Sequence, residues 1–229
     1  MVEEYHSRGQ PPPGERAGKK AATPEAMARA NKRQKERNAR LLIMNNFGEN
    51  DYYITLTYRK EERPESMEEC KKQFQKFIRK VKEAYRKAGE TLKWVRNIEI
   101  GSRGGIHIHL IVNRILNTDV IVRRFWSYGG VHQTLLYLEG GFRELAAYMT
   151  KAGRDEKGIR ESSYSTSRNL DRPEARTKVM SGRTFRNRKI RIPRGYYLDK
   201  GSLYEGINEY TGYPYRYYTL LILTDRRRE

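Results

Sequence analysis

The chain has 229 residues, 37% of them hydrophobic and 33% charged, and its 47 Lys and Arg against 28 Asp and Glu give a formal charge of +19. That excess points to a polyanionic partner, nucleic acid before a membrane surface, and 17 interleaved tyrosines suit single strands, whose bases stack on aromatic rings beside phosphate-binding cations. A single cysteine, Cys70, excludes an internal disulfide and a Cys/His zinc framework; the longest apolar runs, LLIM and LLIL, fall far short of the ~18 residues that span a bilayer, so an intracellular protein is expected.

Residues 1–22 are rich in Pro, Gly and charge, lack periodicity and read as a disordered basic arm, in which His6 has no evident role. Residues 23–44 read as a basic helix with Thr23 as N-cap and Pro24 at its first position, its charges serving either as a DNA-binding arm or as a solvated face. A β-rich run, DYYITLTY (51–58), follows. Ser66 and Glu69 then make a capping box opening a helix to about Lys87, whose Phe74, Phe77, Ile78, Val81 and Tyr85 recur on one core-facing side, with Cys70 a small core residue. Strands are predicted at 91–100 and 106–113 around the turn GSRGG, a short helix at 117–128, a fourth strand at 131–138, and a helix at 142–153 closed by Gly153.

The order β-α-β-β-α-β-α implies an α+β domain over residues 45–154, a ferredoxin-like split βαβ antiparallel sheet with helices on one face. Residues 155–229 form a basic, Tyr/Arg-rich extension. Between 168 and 194 it holds ten basic and two acidic residues (10 − 2 = +8), and eight tyrosines follow between 196 and 218. That composition predicts strands or a small subdomain with a basic surface.

Two constellations carry chemistry. In the strand IHIHLIV, His107 and His109 fall on one face, about 7 Å apart, and Ile106, Ile108 and Leu110 on the other. A hairpin centred near Arg103 pairs Glu99 with His107, or after a two-residue shift with His109, so the carboxylate joins the imidazoles in either register. Two imidazoles and one carboxylate leave coordination positions open for substrate and water. Mixed N/O ligands suit Mn²⁺ or Mg²⁺, and ligand type alone also admits Zn²⁺.

In ELAAYMTK, Glu144, Tyr148 and Lys151 lie at i, i+4 and i+7, on one helical face where a core helix would carry apolar residues. A phenol attacks poorly at neutral pH unless a cation steadies the phenolate or a metal activates the phosphate, and Lys151 with a nearby ion would supply both. His132 reads as a structural histidine, with a fourth ligand or an origin contact as the alternatives.

A His-hydrophobic-His strand followed by a helical Tyr-x-x-Lys resembles the HUH endonuclease superfamily, and within it the single-tyrosine rolling-circle replication initiators of plasmids and filamentous-phage-like elements. The resemblance covers about residues 51–153, through YYITLTY, GGIHIHLIV and YMTK; SSYSTSRNLDRP (162–173) is similar to a segment that follows the core in such initiators. It implies that Tyr148 attacks a phosphodiester in single-stranded DNA, giving a 5′-phosphotyrosine and a free 3′-OH, with Glu99, His107 and His109 holding Mn²⁺ or Mg²⁺ and Lys151 positioning the phosphate. Glu144, four residues before the tyrosine, matches a glutamate that in some plasmid initiators activates water to end the cycle, with a plain helix-surface role as its alternative.

Nucleic-acid contacts are expected from Tyr58 and Arg59 after the first strand, from Arg103 in the turn and from Arg123 in the short helix. In the basic extension they are expected from Arg168, Arg183, Arg186 and Arg188. The implied setting is the cytoplasm of a bacterial host, at a plasmid, phage or integrated-element origin with a hairpin. With no nucleotide-binding P-loop in the chain, a host helicase and polymerase are the expected partners. Competing readings are an HUH transposase or relaxase, a non-catalytic nucleic-acid-binding module, which leaves Glu99, His107, His109 and Tyr148 unexplained, and a metal-dependent hydrolase using water alone, which needs no tyrosine.

Overall fold

A computed structural model of the chain describes residues 1–5, 23–101, 105–137, 139–151, 164–179, 189–208 and 212–223. His6, Arg103, Gly153, Arg183, Arg186 and Arg188 lie outside the described residues. The chain divides into two compact units, Gln34–Pro173 and Met1–Arg33 with Glu174–Glu229. Its described elements mix four α-helices with two antiparallel sheets.

In the larger unit the strands β2 (Tyr52–Thr57), β3 (Trp94–Ile100), β4 (Ile106–Val112), β5 (Val131–Leu135) and β6 (Ser165–Thr166) lie in the order β5-β2-β4-β3-β6. Helix α2 (Met67–Lys87) connects β2 to β3 with β4 inserted between them, and α3 (Thr118–Phe125) connects β4 to β5 with β2 between. These are two interleaved split βαβ units, the topology expected from the element order. The short strand β6 extends the β3 edge.

Local chemistry explains the elements. Ser66 Oγ accepts the Glu69 amide at 3.1 Å, and Glu69 reaches back to the Glu65 amide at 2.8 Å, so the predicted capping box opens α2. Thr23 Oγ1 likewise accepts the Ala26 amide at 3.2 Å at the head of α1 (Pro24–Asn46). Strand alternation puts Ile54, Leu56, Ile98, Ile106, Ile108 and Leu110 on one sheet face, where Phe74, Phe77, Val81 and Tyr85 of α2 and Val122 of α3 cover them. Cys70 is buried there, as expected.

The opposite face is covered too, at one end. Ala39 and Ile43 of α1, Phe47, and Ala146 and Met149 of α4 (Arg143–Met149) pack on Val95 and Ile111, together with Leu170. Helices therefore lie on both faces rather than on one, because each side of the sheet carries its own apolar patch. The unit is correspondingly wider than residues 45–154. Asp171 bonds Asn45 and Asn46 through its carbonyl and Lys93 through its carboxylate, so residues 164–173 belong to this unit structurally.

The smaller unit is built on a three-stranded sheet in the order β1-β8-β7, with β1 at Val2–Tyr5, β7 at Tyr196–Ile207 and β8 at Pro214–Ile222. The arm expected to be disordered thus opens with a strand. Glu4 is held by Arg216 and by the Tyr218 hydroxyl, the latter at 3.0 Å, and Arg216 and Tyr218 are buried. Among the described residues no helix is long and apolar enough to cross a membrane.

Candidate active site

The uncovered part of the second sheet face is polar. Moving away from Val95, Ile111 and Tyr53, the next rows across β3, β4 and β2 are Asn97, His109 and Thr55, then Glu99, His107 and Thr57. Glu99 pairs directly with His107, the first of the two registers read from the hairpin. His132 stands opposite Thr55, so it shares this face, exposed and one strand beyond β2.

Helix α4 brings Tyr148 over these rows. Its entry is turned by Gly141 and Phe142, both with positive φ, and the Gly141 carbonyl accepts the buried Arg40 guanidinium of α1 at 2.8 Å. Ala146 and Met149 anchor the helix in the apolar cluster. From there the Tyr148 hydroxyl donates to Glu99 Oε2 at 2.9 Å and lies 3.0 Å from His109 Nε2. Lys151 Nζ stands 2.7 Å from Glu99 Oε1 and 5.9 Å from the centre of the Tyr148 ring.

The helix ends earlier than the sequence pattern suggests. Thr150 caps it and folds its hydroxyl back to the Ala146 carbonyl at 2.8 Å, while buried Asn97 donates to the Lys151 carbonyl at 3.1 Å. Lys151 therefore leaves the helix, and the expected i, i+4, i+7 stripe is not formed. Glu144 is exposed and makes no hydrogen bond or ion pair among the described residues, so it is not brought to Tyr148.

Electrostatics define the resting state. Partial burial works to raise the Glu99 carboxyl, but the Lys151 ammonium and the Tyr148 hydroxyl outweigh it and hold its pKa below the ordinary range. Burial lowers the His109 imidazole, which is therefore neutral at pH 7. Burial and donation to Glu99 raise the Tyr148 phenol, so it carries its proton at rest. Lys151 steadies the carboxylate here rather than a phenolate.

Two further residues complete the cluster. Tyr53 stacks on His109 at 8° between ring planes, with its hydroxyl 2.8 Å from Nδ1, and meets the Tyr148 ring edge-on at 6.5 Å. With Nδ1–H donating to Tyr53, Nε2 is left as the accepting atom facing Glu99 and Tyr148. Asn97 ties the backbone after α4 to β3. The signal for both lies in the strand pattern, Tyr53 two residues before Thr55 and Asn97 two before Glu99, each on the polar face.

Glu99 Oε2 and His109 Nε2 lie 3.4 Å apart, a spacing compatible with two ligands of one ion. His107 is exposed beside them, its ring centre 6.2 Å from that of His109. Among the described residues no three His, Cys, Asp or Glu side chains stand together as a metal cluster. The Tyr148 hydroxyl sits where Glu99 and His109 converge.

Residues 51–153 match the family model of the replication-associated protein ORF2. No curated protein and no solved structure gives a match. The family match spans just under half of the chain, from the residue before β2 to just beyond α4, and includes Glu99, His107, His109, Tyr148 and Lys151. It is a family of rolling-circle replication initiators, which implies DNA binding at an origin and, in general, endonuclease activity.

The expected nucleic-acid contacts divide. Tyr58 is a correction: it is buried in the core against Trp126 and Tyr128, its hydroxyl 3.4 Å from Cys70 Sγ, so its ring has no free face for a base. Arg59 is exposed and donates to the Ser127 carbonyl at 2.7 Å. Arg123 is exposed on α3, across the sheet from Tyr148, and Arg168 is exposed just after β6.

Proposed function

We propose that the protein initiates rolling-circle replication by nicking and rejoining single-stranded DNA at an origin, with Tyr148 as the nucleophile. The observation that carries this reading is the convergence of Tyr148, Glu99 and His109 within 3.4 Å of one another, inside the segment matched by the replication-associated protein family.

Tyr148 Oη attacks phosphorus, a P–Oη bond forms as the P–O3′ bond breaks, and the 3′ oxygen leaves to become a 3′-OH. One phosphoester replaces another, so the 5′-phosphotyrosine keeps the bond energy needed for joining. The phenol starts protonated, and Glu99 Oε2 and His109 Nε2 lie within 3.0 Å as acceptors for its proton. Lys151, the nearest cation to the phenol, steadies charge on the reacting phosphate when it shifts from Glu99.

The donor set suits Mn²⁺ or Mg²⁺: Glu99 and His109 already converge, and His107 on the adjacent row would complete three ligands. Bound there, the ion supplies Lewis acidity to the non-bridging phosphate oxygens and helps align the ester for in-line attack. Glu144, exposed one turn before Tyr148, serves in this reading to activate the water that releases the protein at the end of a cycle. A hairpin-bearing origin, a host helicase and a host polymerase fit a chain without its own nucleotide-binding loop, acting in a bacterial cytoplasm for a plasmid, phage or integrated element.

The test is incubation of the protein and Mn²⁺ with end-labelled, hairpin-bearing single-stranded DNA, run on a denaturing gel. Label from the 3′ side of the nick should migrate with the protein, and Tyr148→Phe should abolish that band. Cleavage persisting in Tyr148→Phe would contradict the covalent mechanism.

A further inference from the structure

The smaller unit carries an aromatic array that the nicking reading does not use. In its sheet, Tyr5 pairs with Tyr215, and Tyr204 pairs with Tyr217. Cross-strand partners share a face, and so do residues two apart on a strand, so all four tyrosines lie on one side. Arg216 and Tyr218, which hold Glu4, belong to the other side.

The rings form a connected surface. Tyr204 lies 5.4 Å from Tyr217 at 16° between planes and 5.7 Å from Tyr215 at 36°. Gly206, opposite Tyr215, has no side chain to fill the space between Tyr204 and Tyr215. The Arg33 guanidinium sits 4.9 Å from the centre of the Tyr204 ring, adding a cation at the edge of the array. Tyr5 is 61% exposed and Tyr204 36%, whereas a core tyrosine such as Tyr85 is fully buried.

Charge selects the occupant. Residues 1–33 and 174–229 hold 20 Lys and Arg against 10 Asp and Glu, a net charge of 20 − 10 = +10. Aromatic rings beside cations on a basic unit fit a chain of phosphates with exposed bases, because every base has a face to stack and every phosphate a charge to neutralise. Duplex DNA offers the charge without the accessible base faces. We infer that the Tyr5–Tyr215–Tyr217–Tyr204 face, flanked by Arg33, is a second binding surface for single-stranded DNA, distinct from the Tyr148 site. The choice of DNA over RNA rests on the proposed nicking function.

The experiment measures binding of the full-length chain to a fluorescent oligothymidylate, which has no hairpin, by anisotropy at fixed salt. Tyr204→Ala with Tyr217→Ala should weaken binding about ten-fold or more, the scale of losing a base-stacking partner, while Tyr204→Phe with Tyr217→Phe stays near the parent. Two single changes, Tyr5→Ala and Arg33→Ala, serve should the double Ala variant unfold by circular dichroism. Each should weaken binding several-fold, and Arg33→Ala should also flatten its salt dependence. Unchanged affinity in the folded variants, or an equal loss on a duplex of the same length, would overturn the assignment. Loss of oligothymidylate binding without any Tyr148 adduct would leave this surface standing and the nicking reading fallen. Adduct formation with oligothymidylate binding intact in the folded array variants would do the reverse.

Discussion

The hydroxyl of Tyr148 donates to Glu99 Oε2 at 2.9 Å, across 49 residues of sequence. A helix and a hairpin strand thus meet on the one sheet face that α1 and α4 leave polar. Since Lys151 holds the other oxygen of the same carboxylate, Glu99 joins the proposed nucleophile to its nearest cation.

Glu99→Gln removes that charge while keeping the shape. Adduct formation should fall by about a hundred-fold or more, the cost of losing a preorganised charge at a reacting centre, measured as the single-turnover rate of protein–DNA adduct. A rate within a factor of two of the parent would remove Glu99 from the chemistry.

The metal-free protein should lose stability in acid, and the sign follows from the shifts. His109 is lowered by burial, so the unfolded chain binds its proton first and stability falls as pH drops below the unfolded value near 6.5. Glu99 is also lowered, so its contribution is full above its unfolded value near 4.5 and is lost as pH falls through the lower folded one. In buffer with a chelator the melting temperature should decline from pH 7 to pH 4, and His109→Asn should flatten the upper part of that decline. A flat profile in the parent would contradict both assignments.

Tyr53→Phe leaves the stacked ring but removes the hydroxyl at His109 Nδ1. Losing such a partner of a ligating histidine typically costs 10- to 100-fold in metal affinity or activity, so the Mn²⁺ concentration for half-maximal adduct formation should rise by about that factor. An unchanged Mn²⁺ dependence would make Tyr53 a packing residue only.

Asn97→Ala leaves the Lys151 carbonyl without its buried donor, at a cost of about 1–3 kcal/mol. The melting temperature should fall by several degrees and the adduct rate should fall with it, because the chain after α4 is no longer pinned to β3. A stability loss with full activity would separate the two.

Glu144→Ala should form the adduct at the parent rate, since Glu144 touches none of the cluster. Release of the DNA should be slowed if water activation is its role. Normal release would reduce Glu144 to a surface residue of α4.

Much of this is legible locally. The register of Glu99 with His107 follows from a short turn and period-two alternation, and the α2 cap from Ser66 and Glu69. The placement of Tyr148 over Glu99 is not, because it depends on Ala146 and Met149 finding Val95 and Ile111, a contact between distant segments that both read simply as apolar. The early stop of α4 is hidden for a similar reason: Thr150 and Asn97 end it, and Asn97 lies about fifty residues upstream. Tyr58 sits in a tyrosine-arginine neighbourhood that looks like a stacking platform, yet its ring belongs to the same buried layer as Ile54 and Leu56. The pairing of Val2–Tyr5 with Pro214–Ile222 joins the two ends of the chain, and no local pattern announces it.

The central claim is a covalent bond between DNA and Tyr148. After incubation with Mn²⁺ and single-stranded origin DNA, nuclease trimming, proteolysis and tandem mass spectrometry should find the peptide carrying Tyr148 with a 5′-linked nucleotide on the phenolic oxygen. Cleaved DNA with that peptide unmodified, or with the nucleotide on another residue, would contradict the account.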